Sequence, residues 1–77
     1  MTFGERLRQL RNQASMTVPA LADKAGLQMV SVYNYEAGRL APSFRAAAQL
    51  AKALGVSADE FLDCELPVDL RLENRRR

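Results

Sequence analysis

Residues 18–37 read Val18-Pro19-Ala20-Leu21-Ala22-Asp23-Lys24-Ala25-Gly26-Leu27-Gln28-Met29-Val30-Ser31-Val32-Tyr33-Asn34-Tyr35-Glu36-Ala37, and this run decides the fold. Thr17, just before it, is an N-cap candidate, and Pro19 falls in a first turn, where its missing N–H costs nothing. Leu21, Ala22 and Ala25 share one face of a helix that Gly26 stops. A second helical pattern runs from about Gln28 to Glu36, with Val32 and Tyr35 inward and Gly38 as its C-terminal breaker. Ala22 is small enough for the two helices to cross closely. Gly26 permits the sharp turn between them, and Val32 buries the second helix against the first.

Working outward, Phe3, Leu7, Leu10 and Ala14 recur at spacings of four, three and four, one face of an amphipathic helix. Thr2 caps its start with Glu5 as capping-box partner, and Met16 packs inward from the connection that follows. Beyond the Arg39-Leu40-Ala41-Pro42 loop, Ser43 caps a fourth helix whose apolar set is Phe44, Ala47, Leu50, Ala51 and Leu54, ended by Gly55. Ser57-Ala58-Asp59-Glu60 reads as a capping box opening a short fifth helix with Phe61 and Leu62. The expectation is an all-α, five-helix domain over residues 1–63, with residues 64–77 as a tail. After Pro67, Val68, Leu70 and Leu72 alternate with Asp69, Arg71 and Glu73, which is a strand period. A lone strand is not stable in water, so this stretch pairs with another copy, docks on the helices, or stays disordered.

The chain has 77 residues, room for one domain, and its 48% apolar and 26% charged composition is that of a globular protein. No apolar run approaches a membrane span, and the early acid Glu5 argues against a secretory signal, so the chain reads as cytoplasmic with no membrane partner. Cys64 is the single cysteine and histidine is absent. That removes an intrachain disulfide, leaves a metal site almost nothing to bind with, and excludes His-based acid–base chemistry. No cofactor and no catalytic role are expected; Cys64 reads as a small packed or exposed thiol. Residues 1–56 carry seven Lys/Arg and three Asp/Glu, residues 57–70 five acids and no base, and residues 71–77 four Arg and one Glu. A basic body beside an acidic stretch suggests an anionic partner for one surface and another role for the other; ordinary charge scatter is the bland alternative.

Two helices meeting at Gly26 with this spacing form a helix-turn-helix, in which the second helix enters the DNA major groove. The stretch from Phe3 to Leu62 resembles the Cro/C1-type (XRE) helix-turn-helix family. The resembling pieces are Leu7-Arg8-Gln9-Leu10-Arg11, Leu21 to Leu27, Glu36-Ala37-Gly38-Arg39 with Pro42, Leu50 to Val56, and the cap before Phe61-Leu62. Together they cover about four-fifths of the chain in the family's order. The resemblance implies a lambda-repressor-like domain binding a double-stranded DNA operator, usually as a dimer. It also implies an ion pair between Arg11 and Glu36, which flank the apolar faces of the first and third helices.

With Val32 and Tyr35 inward, a helical projection puts Val30, Ser31, Tyr33, Asn34 and Ala37 outward and Met29 on the flank. Carried over from the family, the DNA-contacting positions are Gln28, Met29, Val30, Ser31, Tyr33 and Asn34, with Arg39 and Thr17 at phosphates. Three features depart from the family: Gln28 stands where Ser or Thr commonly caps, Val18 where many relatives carry a phosphate-contacting Gln, and the reading helix holds no Lys or Arg. Arginine-to-guanine readout is therefore unavailable from that helix. Met29 and Val30 suit thymine methyls, and would suit a protein partner too. The two readings are a sequence-specific regulator, such as a phage-type repressor, restriction–modification controller or antitoxin, and a protein-interaction module on the same fold. A homodimer is expected, with Phe61, Val68, Leu70 and Leu72 at its contact.

Overall fold

Helix α1, Phe3–Gln13, begins where the sequence places it, because Thr2 and Glu5 close a reciprocal capping box. The Glu5 N–H donates to Thr2 Oγ1 at 3.1 Å, and the Thr2 N–H donates to Glu5 Oε1 at 3.0 Å. The computed structural model describes residues 1–62 and residue 64. Helices α2 (Val18–Ala25), α3 (Met29–Glu36) and α4 (Phe44–Leu54) follow, then a single 3-10 turn at Ala58–Phe61. Thr17 and Ser43 cap α2 and α4 through their hydroxyls, which accept from Ala20 N and Ala46 N. Gly26 ends α2 at φ 73°, in the left-handed region that a side chain resists.

The architecture is the expected all-α one, with α1 on α3, α2 on both α3 and α4, and the 3-10 turn closing over α4 and α1. Leu7, Leu21, Leu50 and Val32 fill its centre, fully buried. Phe3 joins the last turn to α3: its ring meets Tyr35 edge-on at 6.2 Å and tilts against Phe61 at 4.6 Å.

The fifth element is shorter than the sequence suggests. The Ser57 hydroxyl accepts from Asp59 N, two residues on, so the turn starts tight and stops after four residues. Phe44, expected inward, is 85% exposed; the buried stripe of α4 is Ala46, Leu50, Ala51 and Ala53. Phe44 is the first residue of α4, ahead of the buried stripe, and borders a groove with Pro42, Ala47 and Phe61. Val68, Leu70 and Leu72, expected to form a strand, lie outside the described residues. No helix among the described residues is long and apolar enough to cross a membrane.

Candidate nucleic-acid interface

Helix α3 follows α2 across the turn at Gly26. Val32 and Tyr35 are buried against the body, and this fixes which side of α3 remains free. Met29, Val30 and Tyr33 stand about half exposed on that free side. Gln28, Ala37 and Arg39 are exposed, while Ser31 and Asn34 are half-buried on the flanks rather than fully outward. Gln28 is the N-cap residue but makes no side-chain cap bond, so its amide is not spent on the helix end. Thr17 is exposed and its oxygen accepts from Ala20 N at 3.2 Å, leaving its hydroxyl proton free to donate outward. Val18 is buried, so the departure from the phosphate-contacting Gln has a packing reason.

Two constraints seat α3 on α1. Arg11 donates through Nε to Glu36 Oε2 at 2.6 Å and through a terminal nitrogen to Oε1 at 3.1 Å, a two-point fork. Its other terminal nitrogen donates to the Met16 carbonyl at 2.9 Å, while the Met16 N–H donates to the Arg11 carbonyl at 3.1 Å. One side chain therefore ties the end of α3 to α1 and to the link before α2. The Glu36 hydrogen bonds raise the pKa of the Arg11 guanidinium above its ordinary value. Arg8 also lies 3.6 Å from Glu36, so this one carboxylate stands between two arginines.

The second constraint is Gly4, which sequence reasoning missed. A Cβ at that position would lie 2.5 Å from the Tyr35 carbonyl oxygen and 2.7 Å from that of Glu36. Only glycine lets α1 come this close to the end of α3. A glycine inside a helix costs roughly 0.5–1 kcal/mol against alanine, and that unfavourable placement is the signal that could have found it.

The fold recurs in known proteins. The profile of the family described as a helix-turn-helix domain matches residues 2–63. The chain belongs to the Cro/C1-type helix-turn-helix family. It is similar to the restriction-modification controller protein C.AhdI from Aeromonas hydrophila, at 34% identity and TM-score 0.75, over 77% of this chain and 89% of that one. It is also similar to the P22 c2 repressor solved with a synthetic operator, at 28% identity and TM-score 0.76, over 84% and 98% of the two chains. Among curated proteins it resembles YonR of Bacillus subtilis (strain 168), a prophage-derived HTH-type transcriptional regulator, at 33% identity over 60 residues. The chain spans about half, 56%, of that relative's length. As a family member it places α2 and α3 as the helix pair, and the expected Arg11–Glu36 pair is present as a full fork.

Phe61, expected at a contact between copies, is 9% exposed and spends its ring on Phe3. The exposed large apolar residue beside that turn is Leu62, its C-cap.

Proposed function

We propose that this chain is a sequence-specific DNA-binding transcriptional regulator that acts in the cytoplasm by binding rather than by catalysis. Residues 1–63 form the DNA-binding domain and residues 64–77 a segment that serves contact between copies. Helix α3 enters the major groove, and two copies bind a palindromic operator as a homodimer. The observation that carries this reading is the free side of α3: a helix anchored by Val32 and Tyr35, second in a helix-turn-helix, with its outer face unpartnered.

The roles follow from side-chain chemistry. The Asn34 amide pairs bidentately with N6 and N7 of adenine, and Gln28 does the same where its rotamer reaches. Met29 and Val30 contact thymine methyls, and Ser31 and Tyr33 offer hydroxyls to base edges or phosphates. Thr17, at the start of α2, and Arg39, after α3, hold phosphates. Each half-site then contains at least one A·T pair beneath α3, and half-sites repeat about 34–36 Å apart.

A second reading is favoured by one observation. Met29, Val30 and Tyr33 are large, apolar or aromatic, and about half exposed, on a helix with no base. Such a face also suits a protein partner, with DNA binding weak or lost. Selection of bound sites from random duplexes, followed by a mobility shift in excess competitor DNA, separates the two. A regulator yields a defined palindrome and holds it against competitor. Failure to select any sequence would favour the interaction module.

A further inference from the structure

The carbonyls of Tyr35 and Glu36, at the end of α3, face Gly4 in the first turn of α1. A Cβ at Gly4 would lie 2.5 and 2.7 Å from their oxygens, where ordinary contact begins at 3.4 Å. Beside this approach the Phe3 ring meets the Tyr35 ring edge-on. Two turns further along α1, Arg11 forks onto the Glu36 side chain. The end of α3 thus rests on the first turn of α1 and is held down from the last turn of the same helix. Its middle is fixed by Val32, which is fully buried. Contact and readout share one short element: Asn34 stands one residue before Tyr35 on this eight-residue helix. Gly4 itself is buried and acts only through what rests on it.

We propose that Gly4 is a positioning residue for base readout: by placing no side chain beneath Tyr35 and Glu36, it sets the tilt of α3 against α2. The inference rests on the reading of α3 as the DNA-contacting helix and names the residue that aims it. The lever is short. Glu36 lies four residues beyond Val32, about 6 Å along the axis at 1.5 Å per residue. A methyl on Gly4 must push the nearer carbonyl away by about 0.9 Å to reach ordinary contact. Helix α3 yields rather than α1. Leu7, Leu10 and the Phe3–Phe61 contact anchor α1, whereas α3 has only Val32 and Tyr35 inside and a free outer face. Pivoting about Val32, α3 tilts by about 9°, and the Asn34 amide, roughly 6 Å from the pivot, moves by about 0.5–1 Å. Good hydrogen-bond lengths span only about 0.5 Å, so a shift of this size breaks a bidentate pair to a base. Redocking the whole domain does not recover it. The phosphate contact of Thr17 belongs to α2 and fixes where the body sits, while α3 alone has turned. Arg39 reaches its phosphate on a long, flexible side chain and follows the movement.

Binding of the full chain to a duplex with one selected half-site, and to a duplex of unrelated sequence, tests this over a range of salt. Circular dichroism verifies that each variant is folded at the temperature used. Gly4→Ala should lose at least about fivefold in affinity for the selected site, the lower limit for a lost bidentate base contact. Its affinity for the unrelated duplex and its salt slopes should match the wild type, because the phosphate contacts remain. Gln49→Gly is the stability control: it weakens α4, away from α3, and should keep the wild-type ratio between the two duplexes. Residual dipolar couplings of the free proteins should show α3 turned by several degrees against α1 and α2 in Gly4→Ala and unturned in Gln49→Gly. Where Gly4→Ala does not fold, Phe3→Leu carries the test. It withdraws the ring from Tyr35 and should give the same selective loss. Equal losses on both duplexes, no loss on either, or an unturned α3 overturns the proposal and leaves Gly4 a role in stability alone. A Phe3→Leu variant with the wild-type ratio does the same where it stands in. Absence of sequence preference in the wild type, with α3 turned in Gly4→Ala as expected, would defeat the regulator reading and leave the seat of α3 on Gly4 intact.

Discussion

Arg11→Ala and Glu36→Ala, singly and combined, test the tie between α1 and α3. In the folded chain the Glu36 side chain is 6% exposed and that of Arg11 16%. Removing Arg11 leaves a buried carboxylate whose other neighbour, Arg8, is 58% exposed and 3.6 Å away. Removing Glu36 strands a guanidinium that keeps only its bond to the Met16 carbonyl. Losing one partner of a buried pair costs about 3–5 kcal/mol. The residual contacts to Arg8 and Met16 place each single change near the lower limit, about 3 kcal/mol. A domain of this length has on the order of 4–12 kcal/mol in total, so either loss removes a large share of it. At about 4–8 °C per kcal/mol, each variant melts roughly 12–24 °C below the wild type. The double variant orphans neither charge and should cost little more than one single, a coupling of about 2–3 kcal/mol. Urea unfolding at low temperature, followed by far-ultraviolet circular dichroism, gives all four corners of the cycle. A coupling below about 0.5 kcal/mol would refute the reasoning, because independent sites add within that margin.

Gly4→Ala should destabilise by about 1–3 kcal/mol despite alanine's better helix propensity, since the added methyl meets two backbone carbonyls that cannot rotate away; a melting temperature at or above that of the wild type would show that α1 can shift. Ser15 has φ 57°, a left-handed conformation costly for a side chain, so Ser15→Gly should stabilise by about 0.5–1 kcal/mol in urea unfolding. The Thr2 backbone N–H, donating to the Glu5 carboxylate, holds its pKa below the ordinary 4.5. That depressed value contributes stability above pH 4.5 that is lost as the pH falls through the folded pKa, so Glu5→Gln should lose less stability than the wild type across that acid window. For readout, Asn34→Ala should relax preference at one base pair and cost about 1–3 kcal/mol of binding, whereas Arg39→Ala should weaken all sequences alike and lower the salt slope by about one; an unchanged set of selected sequences for Asn34→Ala would displace the reading surface.

The sequence by itself determined where most helices begin and end, because capping is a local matter. Thr2 with Glu5, Thr17 and Ser43 act through bonds to residues three positions away, and Gly26 and Gly55 act through their own backbone angles. The central faces of α1, α2 and α3 were legible for the same reason: periodicity assigns Leu7, Leu21, Val32 and Tyr35 to the inside whatever lies opposite. Ser57 and Glu60 stand at capping-box spacing, which predicts a helix, but the Ser57 hydroxyl accepts from Asp59 N instead. Only the tertiary structure decided what happens at edges and close approaches. Phe44 has the spacing of a core residue, yet at the first position of α4 it stays exposed. Gly4 matters because the end of α3, more than thirty residues later in the chain, crosses directly over it. Arg11 and Glu36, 25 residues apart, could be paired on paper, but the added hold on Met16 depends on how the chain turns after α1. A helical period specifies a direction around an axis; which neighbour fills that direction, and how near it comes, is set only when the helices pack.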